Sequence, residues 1–211
     1  MSKKNIKDAV NQLEIPYLLH FTHISNVKRI FESGIHSRDN VDKLNLGIRT
    51  NDKDRFDGRT NTISLSIAHP NDVMFYKYHQ RNFDEWVVIA VKRSVLWKLD
   101  CLFFKHNAAT ASISALSNFE LSTFDSFNNM FAEIDNFETR EEQYLHKYDP
   151  TDKQAEVMVI DHIPPEYLLG VFVSSRQIKK SLKGVLKDNN IKINSPNKGV
   201  YASRFYRRKW Q

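Results

Sequence analysis

Cysteine is all but missing from this 211-residue chain, with Cys101 the single example. A lone cysteine excludes any disulfide within the chain and predicts a protein of the reducing cytoplasm. Cys101 lies between Asp100 and the apolar run Leu102-Phe103-Phe104, the place of a small core residue rather than a nucleophile. Without further cysteines or a compact His/Asp/Glu cluster, a metal site is not expected. Glycine and proline are sparse, at six each. No Gly-rich phosphate loop and no Gly-x-Ser-x-Gly elbow occurs, so Rossmann, P-loop and serine-hydrolase signatures are absent. No apolar run nears the ~20 residues that span a bilayer. The opening Met1-Ser2-Lys3-Lys4 leads into a helix-like pattern rather than the apolar core of a secretion signal.

The charge balance of +6 is unevenly spread. From Arg176 to Gln211 there are eleven Lys and Arg against one acid, Asp188, which leaves the rest of the chain slightly acidic. Such a tail is either a solvated surface or the electrostatic footprint of nucleic acid. Aromatic residues interleave with the charges in Tyr201-Ala202-Ser203-Arg204-Phe205-Tyr206-Arg207-Arg208-Lys209-Trp210. Bases stack on such rings, which favours the second reading.

The length suits one domain, 1–211, and neither a repeat nor a Pro/Gly/Ser linker divides it. Strand patterns fall at 17–22, 62–67, 86–91, 155–160 and 170–174. Between them Ser25 suits an N-cap, Ile24, Val27, Ile30 and Phe31 form an apolar stripe, and Gly34 suits the stop. Pro70-Asn71 precedes a second helical run, and Pro164-Pro165 opens a short helix before another strand. The irregular alternation predicts an α+β fold. The polar stretches 38–61 and 133–153 read as loops, and loops this long are usually functional.

Two polar positions interrupt apolar strands. Alternation puts His20 and Thr22 on one face of their strand and His23 on the other, a spacing unsuited to a zinc pair. Taken alone, His20 suits a core histidine bonded to backbone. Glu156 heads Glu156-Val157-Met158-Val159-Ile160. Asp149-Pro150 upstream suggests a metal nuclease, but Met158 stands where that chemistry wants a lysine. A solvated carboxylate at a strand edge is the plain alternative.

Taken in order, these segments resemble the DarT family of nucleic-acid ADP-ribosyltransferases. The resemblance rests on His20-Phe21-Thr22-His23-Ile24-Ser25-Asn26-Val27 running on to Gly34-Ile35, and on Gln154-Ala155-Glu156-Val157-Met158-Val159. Between them, Arg55-Phe56-Asp57-Gly58, Ile63-Ser64-Leu65-Ser66-Ile67, Pro70-Asn71 with Met74-Phe75, and Asn107-Ala108-Ala109 are similar too, as is the close at Trp210. The resemblance implies a single ADP-ribosyltransferase domain with a split, mixed β-sheet flanked by helices. It implies NAD⁺ as substrate, no metal, and transfer of ADP-ribose to a base in single-stranded DNA. Ser64-Leu65-Ser66-Ile67, Pro70-Asn71 and Asn107-Ala108-Ala109 look closer to the guanine-modifying branch than to the thymidine branch. Related toxins modify RNA. The family implies a toxin, often in phage defence, countered by an antitoxin hydrolase of macrodomain or NADAR type.

The roles implied are these. Glu156 stabilises charge on the ribose and takes the base's proton, and Arg55 pairs with phosphate or orients the reactants, with Arg49 and Arg59 as near alternatives. His20 and Thr22 hold NAD⁺. Phe75 and Tyr76 stack on nicotinamide, although a Met74-Phe75 pair on a helix equally suits a core. Loop 133–153 selects the base, while Arg204, Arg207, Arg208 and Lys209 contact phosphates. A non-catalytic nucleic-acid-binding module using the basic tail is the rival.

Overall fold

The computed structural model describes residues 2–49, 58–79, 85–110, 115–195 and 197–211. Its strands are β1 (Leu18–His23), β2 (Ile35–His36), β3 (Thr62–Ile67), β4 (Trp86–Val91), β5 (Cys101–Phe104), β6 (Glu156–Ile160), β7 (His162–Ile163), β8 (Leu168–Val173) and β9 (Ile191–Ile193). Seven of them form one sheet in the order β5-β6-β3-β1-β4-β8-β9, antiparallel except for the β8–β9 pair. β2 and β7 make a separate ribbon. The α+β expectation holds, with strands and helices in irregular order.

β4 shows why this sheet is central. All six of its residues are buried. Val87, Ile89 and Val91 enter the main core, while Trp86, Val88 and Ala90 enter a second cluster on the opposite face. Each fully buried Val or Ile stabilises by about 1.5–3 kcal/mol, so a strand sandwiched on both faces sits in the middle rather than at an edge.

Helices flank the sheet: α1 (Ser2–Gln12), α2 (Val27–Ser33), α3 (Arg38–Lys43), α4 (Asp72–His79), α5 (Val95–Lys98), α6 (Asn118–Leu121), α7 (Phe124–Asn129), α8 (Arg176–Ser181) and α9 (Arg204–Trp210). α1 buries Ile6 and Val10, one turn apart, in the main core. The start of α2 differs from expectation. Ser25 lies within a 3₁₀ turn, Ile24–Asn26, whose own cap is the His23 ring accepting from the Ser25 N–H. Gly34 does end α2, its N–H bonded to the Ile30 carbonyl. Only glycine suits this place, because φ is +92° and a Cβ would strike the Ile163 carbonyl and the His162 ring. Inside the expected loop 38–61, Ser37 caps the short helix α3. Stretch 133–153 is free of helix and strand, as expected.

The decisive irregularity lies between β1 and β3. β1 pairs with β4 along all six residues, but with β3 only at Leu18↔Ile67 and Leu19↔Ser66. Below that point β3 turns to β6, pairing from Thr62↔Ile160 to Leu65↔Val157. The sheet therefore splits, and the backbone edges released by the split border a cavity.

Candidate active site

That cavity holds about 370 Å³. Its walls include Leu19, His20, Phe21 and Thr22 of β1, residues 62–66 of β3, Asn71, Met74 and Lys77 at α4, Asn107 to Ala109 after β5, and Glu156. Among the described residues of this lining Glu156 is the one acid, set against Arg38, Arg49 and Lys77. Such a lining favours an anionic ligand and keeps one carboxylate for another task.

Glu156 is 7% exposed. It pairs with Phe104 of β5, and one more step of the β3–β6 register sets it level with Ser66. It thus stands at the fork, where β1 last touches β3. The alternation read from the sequence is observed: Met158 and Ile160 pack with Leu102 and Phe104 on one face, while Ala155, Val157 and Val159 enter the main core on the other.

His20 lines the opened edge. Its Nδ1–H donates to the Ser64 carbonyl at 3.0 Å, across the gap where a ladder bond would otherwise lie. Burial holds the imidazole below its ordinary value, with the Ser64 hydrogen bond opposing. His20 is therefore neutral near pH 7, with Nε2 as an acceptor. Thr22, 2% exposed, accepts from the Asn26 amide at 3.0 Å.

Asn26 did not stand out in the sequence, yet it organises this wall. Besides Thr22 it donates to the Arg49 carbonyl at 2.8 Å, and its Oδ1 accepts the Arg49 N–H at 2.9 Å. Arg49 in turn reaches His23 Nε2 at 2.9 Å. Arg59 is engaged elsewhere, donating to Asn118 and the Leu116 carbonyl. Arg55 falls outside the described residues.

Several expected assignments change. Phe75 is 3% exposed and packs against Phe21 and Tyr201, so it belongs to the second core cluster and not to the cavity wall. Tyr76 is 56% exposed and does not line the cavity. Arg204 is 5% exposed and donates to the carbonyls of Pro150 and Thr151. Arg208 forms a bidentate pair with Asp149. Both are internal clamps, since a guanidinium already bonded to carbonyls or a carboxylate offers little to a phosphate. Arg207, partly buried, donates to the Ala68 carbonyl and the Tyr17 hydroxyl. Lys209 remains on the surface, its ammonium within 5.0–5.5 Å of the Tyr144, Phe205 and Trp210 ring centres.

A family model described as DarT, ssDNA thymidine ADP-ribosyltransferase, matches residues 19–201. The chain belongs to the DarT family. A curated relative from Thermosipho africanus, a DNA ADP-ribosyl transferase–DNA ADP-ribosyl glycohydrolase fusion protein, is 21% identical over 191 residues. The match takes in 83% of this chain and 47% of that relative, so the chain spans about half its length. Among solved structures, Thermosipho africanus DarTG in complex with ADP-ribose superposes with a TM-score of 0.60 at 19% identity, over 90% of this chain and 51% of that one. Thermus sp. 2.9 DarT in complex with NAD⁺ gives 0.53 at 14% identity, over 86% and 96%. The same protein with ADP-ribosylated ssDNA gives 0.56 at 14%, over 86% and 95%. These likenesses establish a DarT fold around the split sheet.

Proposed function

We propose that this chain cleaves NAD⁺ and transfers its ADP-ribose to a base in single-stranded DNA, guanine in particular. The observation that carries the proposal is Glu156, buried at the fork of the split sheet and the one acid among the described residues of a cavity lined otherwise by Arg38, Arg49, Lys77 and neutral polar and apolar groups. As the bond between nicotinamide and ribose breaks, nicotinamide leaves with the electron pair and positive charge grows on the ribose carbon. Glu156 stabilises that charge. A nitrogen of the base then bonds to the same carbon, and Glu156 takes the proton it sheds. Neutral His20 offers Nε2 to a ribose hydroxyl, and the wall of Thr22, Asn26 and Arg49 borders the rest of the dinucleotide. Arg55 is the further arginine assigned to phosphate or reactant orientation.

The cationic lining supports a dinucleotide with a charged pyrophosphate. The ligands named for the Thermus structures, NAD⁺ and ADP-ribosylated ssDNA, support the same reaction. Guanine rests on the likeness of Ser64-Leu65-Ser66-Ile67, Pro70-Asn71 and Asn107-Ala108-Ala109 to the guanine-modifying branch, whereas the matching family model is described by thymidine. A base must leave its stack to reach so enclosed a carboxylate, which favours single strands. For strand contacts the surface cluster of Lys209, Tyr144, Phe205 and Trp210 suits stacking better than the clamped arginines of α9. The glycohydrolase portion named in the Thermosipho relative supports a toxin held in check by a hydrolase that removes the mark. A cytoplasmic role in phage defence fits that arrangement.

Incubating the protein with NAD⁺ and matched DNA and RNA oligonucleotides, read by intact mass, tests this. One added ADP-ribose on guanine-containing DNA is expected. The adduct on thymidine or RNA would move the acceptor and keep the chemistry. Binding without any adduct would leave the nucleic-acid-binding module.

A further inference from the structure

Asn71 carries a polar group that the fold itself leaves unsatisfied. It is 3% exposed, lines the cavity, and its Nδ2 is buried without a hydrogen-bond partner among the described residues. The amide cannot be turned to remedy this, because Oδ1 already accepts the N–H groups of Val73 and Met74, both at 3.2 Å, as the cap of α4. The main chain is fixed as well: the Asn71 N–H donates to Ser66 Oγ at 3.1 Å. The Nδ2 donor is thus held in one orientation by three hydrogen bonds, while burying it without an acceptor destabilises the fold. An arrangement with that cost points to a ligand acceptor.

Its position says which one. Ser66 is the β3 residue at which pairing with β1 ends toward the fork, and one further step of the β3–β6 register sets it level with Glu156. Asn71 therefore stands at the reacting end of the cavity, whose lining also includes the apolar residues Leu19, Phe21 and Met74. A flat, largely apolar ring bearing one carbonyl oxygen matches apolar walls with a single fixed donor. A ribose, with hydroxyls that both give and accept, matches them less well. Resting on the NAD⁺ reading above, we propose that Asn71 Nδ2–H donates to the carboxamide oxygen of nicotinamide, making Asn71 the residue that recognises and orients the leaving group.

The decisive variant is Asn71→Asp, which keeps the Oδ1 cap and removes the donor. Asn71→Ser, whose hydroxyl can also cap, is the second. Two ligands separate the halves of NAD⁺: nicotinamide, measured as an inhibitor of NAD⁺ cleavage, and ADP-ribose, measured by calorimetry. The expected result is nicotinamide inhibition weakened roughly tenfold, ADP-ribose binding within about twofold of the parent, and a melting temperature no lower than the parent's, which excludes a merely structural role. Loss of ADP-ribose binding with nicotinamide inhibition intact would overturn the assignment, as would no change in either. Failure of the parent chain to bind ADP-ribose or to cleave NAD⁺ would instead overturn the reading of the cavity, and the inference with it.

Discussion

Arg208 grips the buried carboxylate of Asp149 through two hydrogen bonds of 2.6 Å, Nε to Oδ2 and Nη2 to Oδ1. The two side chains are 3% and 0% exposed. Arg204 reaches the neighbouring Pro150 and Thr151 carbonyls from the same helix, and Arg140 donates to the Asp149 carbonyl and the Thr151 hydroxyl from within the loop. The tail charges therefore fasten the chain that leads into Glu156.

Removing one partner of this pair leaves the other charged and enclosed. Arg208→Ala is expected to cost about 3–5 kcal/mol of unfolding free energy by denaturant titration. The double variant Asp149→Leu with Arg208→Met is expected to recover most of that loss. If Arg208→Ala cost no more than a surface substitution, the pair would not be the buried clamp described.

Asn26 offers a second lever. Asn26→Ala removes three hydrogen bonds at once and frees the segment bearing Arg49. The expected cost is about 2–4 kcal/mol, with weaker ADP-ribose binding by calorimetry. Retained affinity would show that the Thr22–Arg49 wall lies away from the ligand.

Strand contacts separate cleanly from structural ones. Lys209→Ala and Trp210→Ala are each expected to lower affinity for a fluorescent single-stranded oligonucleotide, Trp210→Ala by about 1–3 kcal/mol if a base stacks on it, while melting temperature holds. Arg204→Ala should do the reverse, lowering melting temperature first. Unchanged binding in both surface variants would remove this cluster from the nucleic-acid path.

Stability should depend on pH through histidines held neutral. Burial lowers His20, His36 and His69 from the ordinary imidazole value of 6.5, His69 well below it with Arg207, Arg208 and Arg204 adding to the effect. Above pH 6.5 these rings are neutral in both states and contribute no slope. As pH falls through 6.5 the unfolded chain takes up protons first, so the folded state loses stability until its own lower values are reached. Denaturant midpoints measured from pH 7.5 down to 5 should fall on the acid side, and a flat profile would contradict neutral burial.

Legibility followed the range of the interactions. Runs of β-branched and aromatic residues placed β1, β3, β4, β6 and β8, and alternation gave the faces of His20 and Glu156, because both signals are local. β5 was legible only as the apolar run Cys101 to Phe104, since four apolar residues are too few to separate a buried strand from a buried turn of helix. The two-residue β2 and β7 and the three-residue β9 are too short to carry a period. Asn26 was hidden because its partner Arg49 lies 23 positions away, and Asn71 because an unsatisfied donor exists only once the fold encloses it. Basic composition made Arg204 and Arg208 look like phosphate contacts. The carbonyls and carboxylate they hold lie more than 50 positions earlier.

Under the proposed function, Glu156 at the fork of the sheet carries ADP-ribose transfer. Parent chain and Glu156→Ala should be incubated side by side with NAD⁺ and a guanine-containing single-stranded DNA, and the modified strand quantified over time by intact mass. One ADP-ribose per strand from the parent, with the variant slower by about 10²–10⁴-fold or more at equal melting temperature, is the predicted result. Equal rates from both proteins would contradict it, returning Glu156 to a carboxylate without a catalytic part.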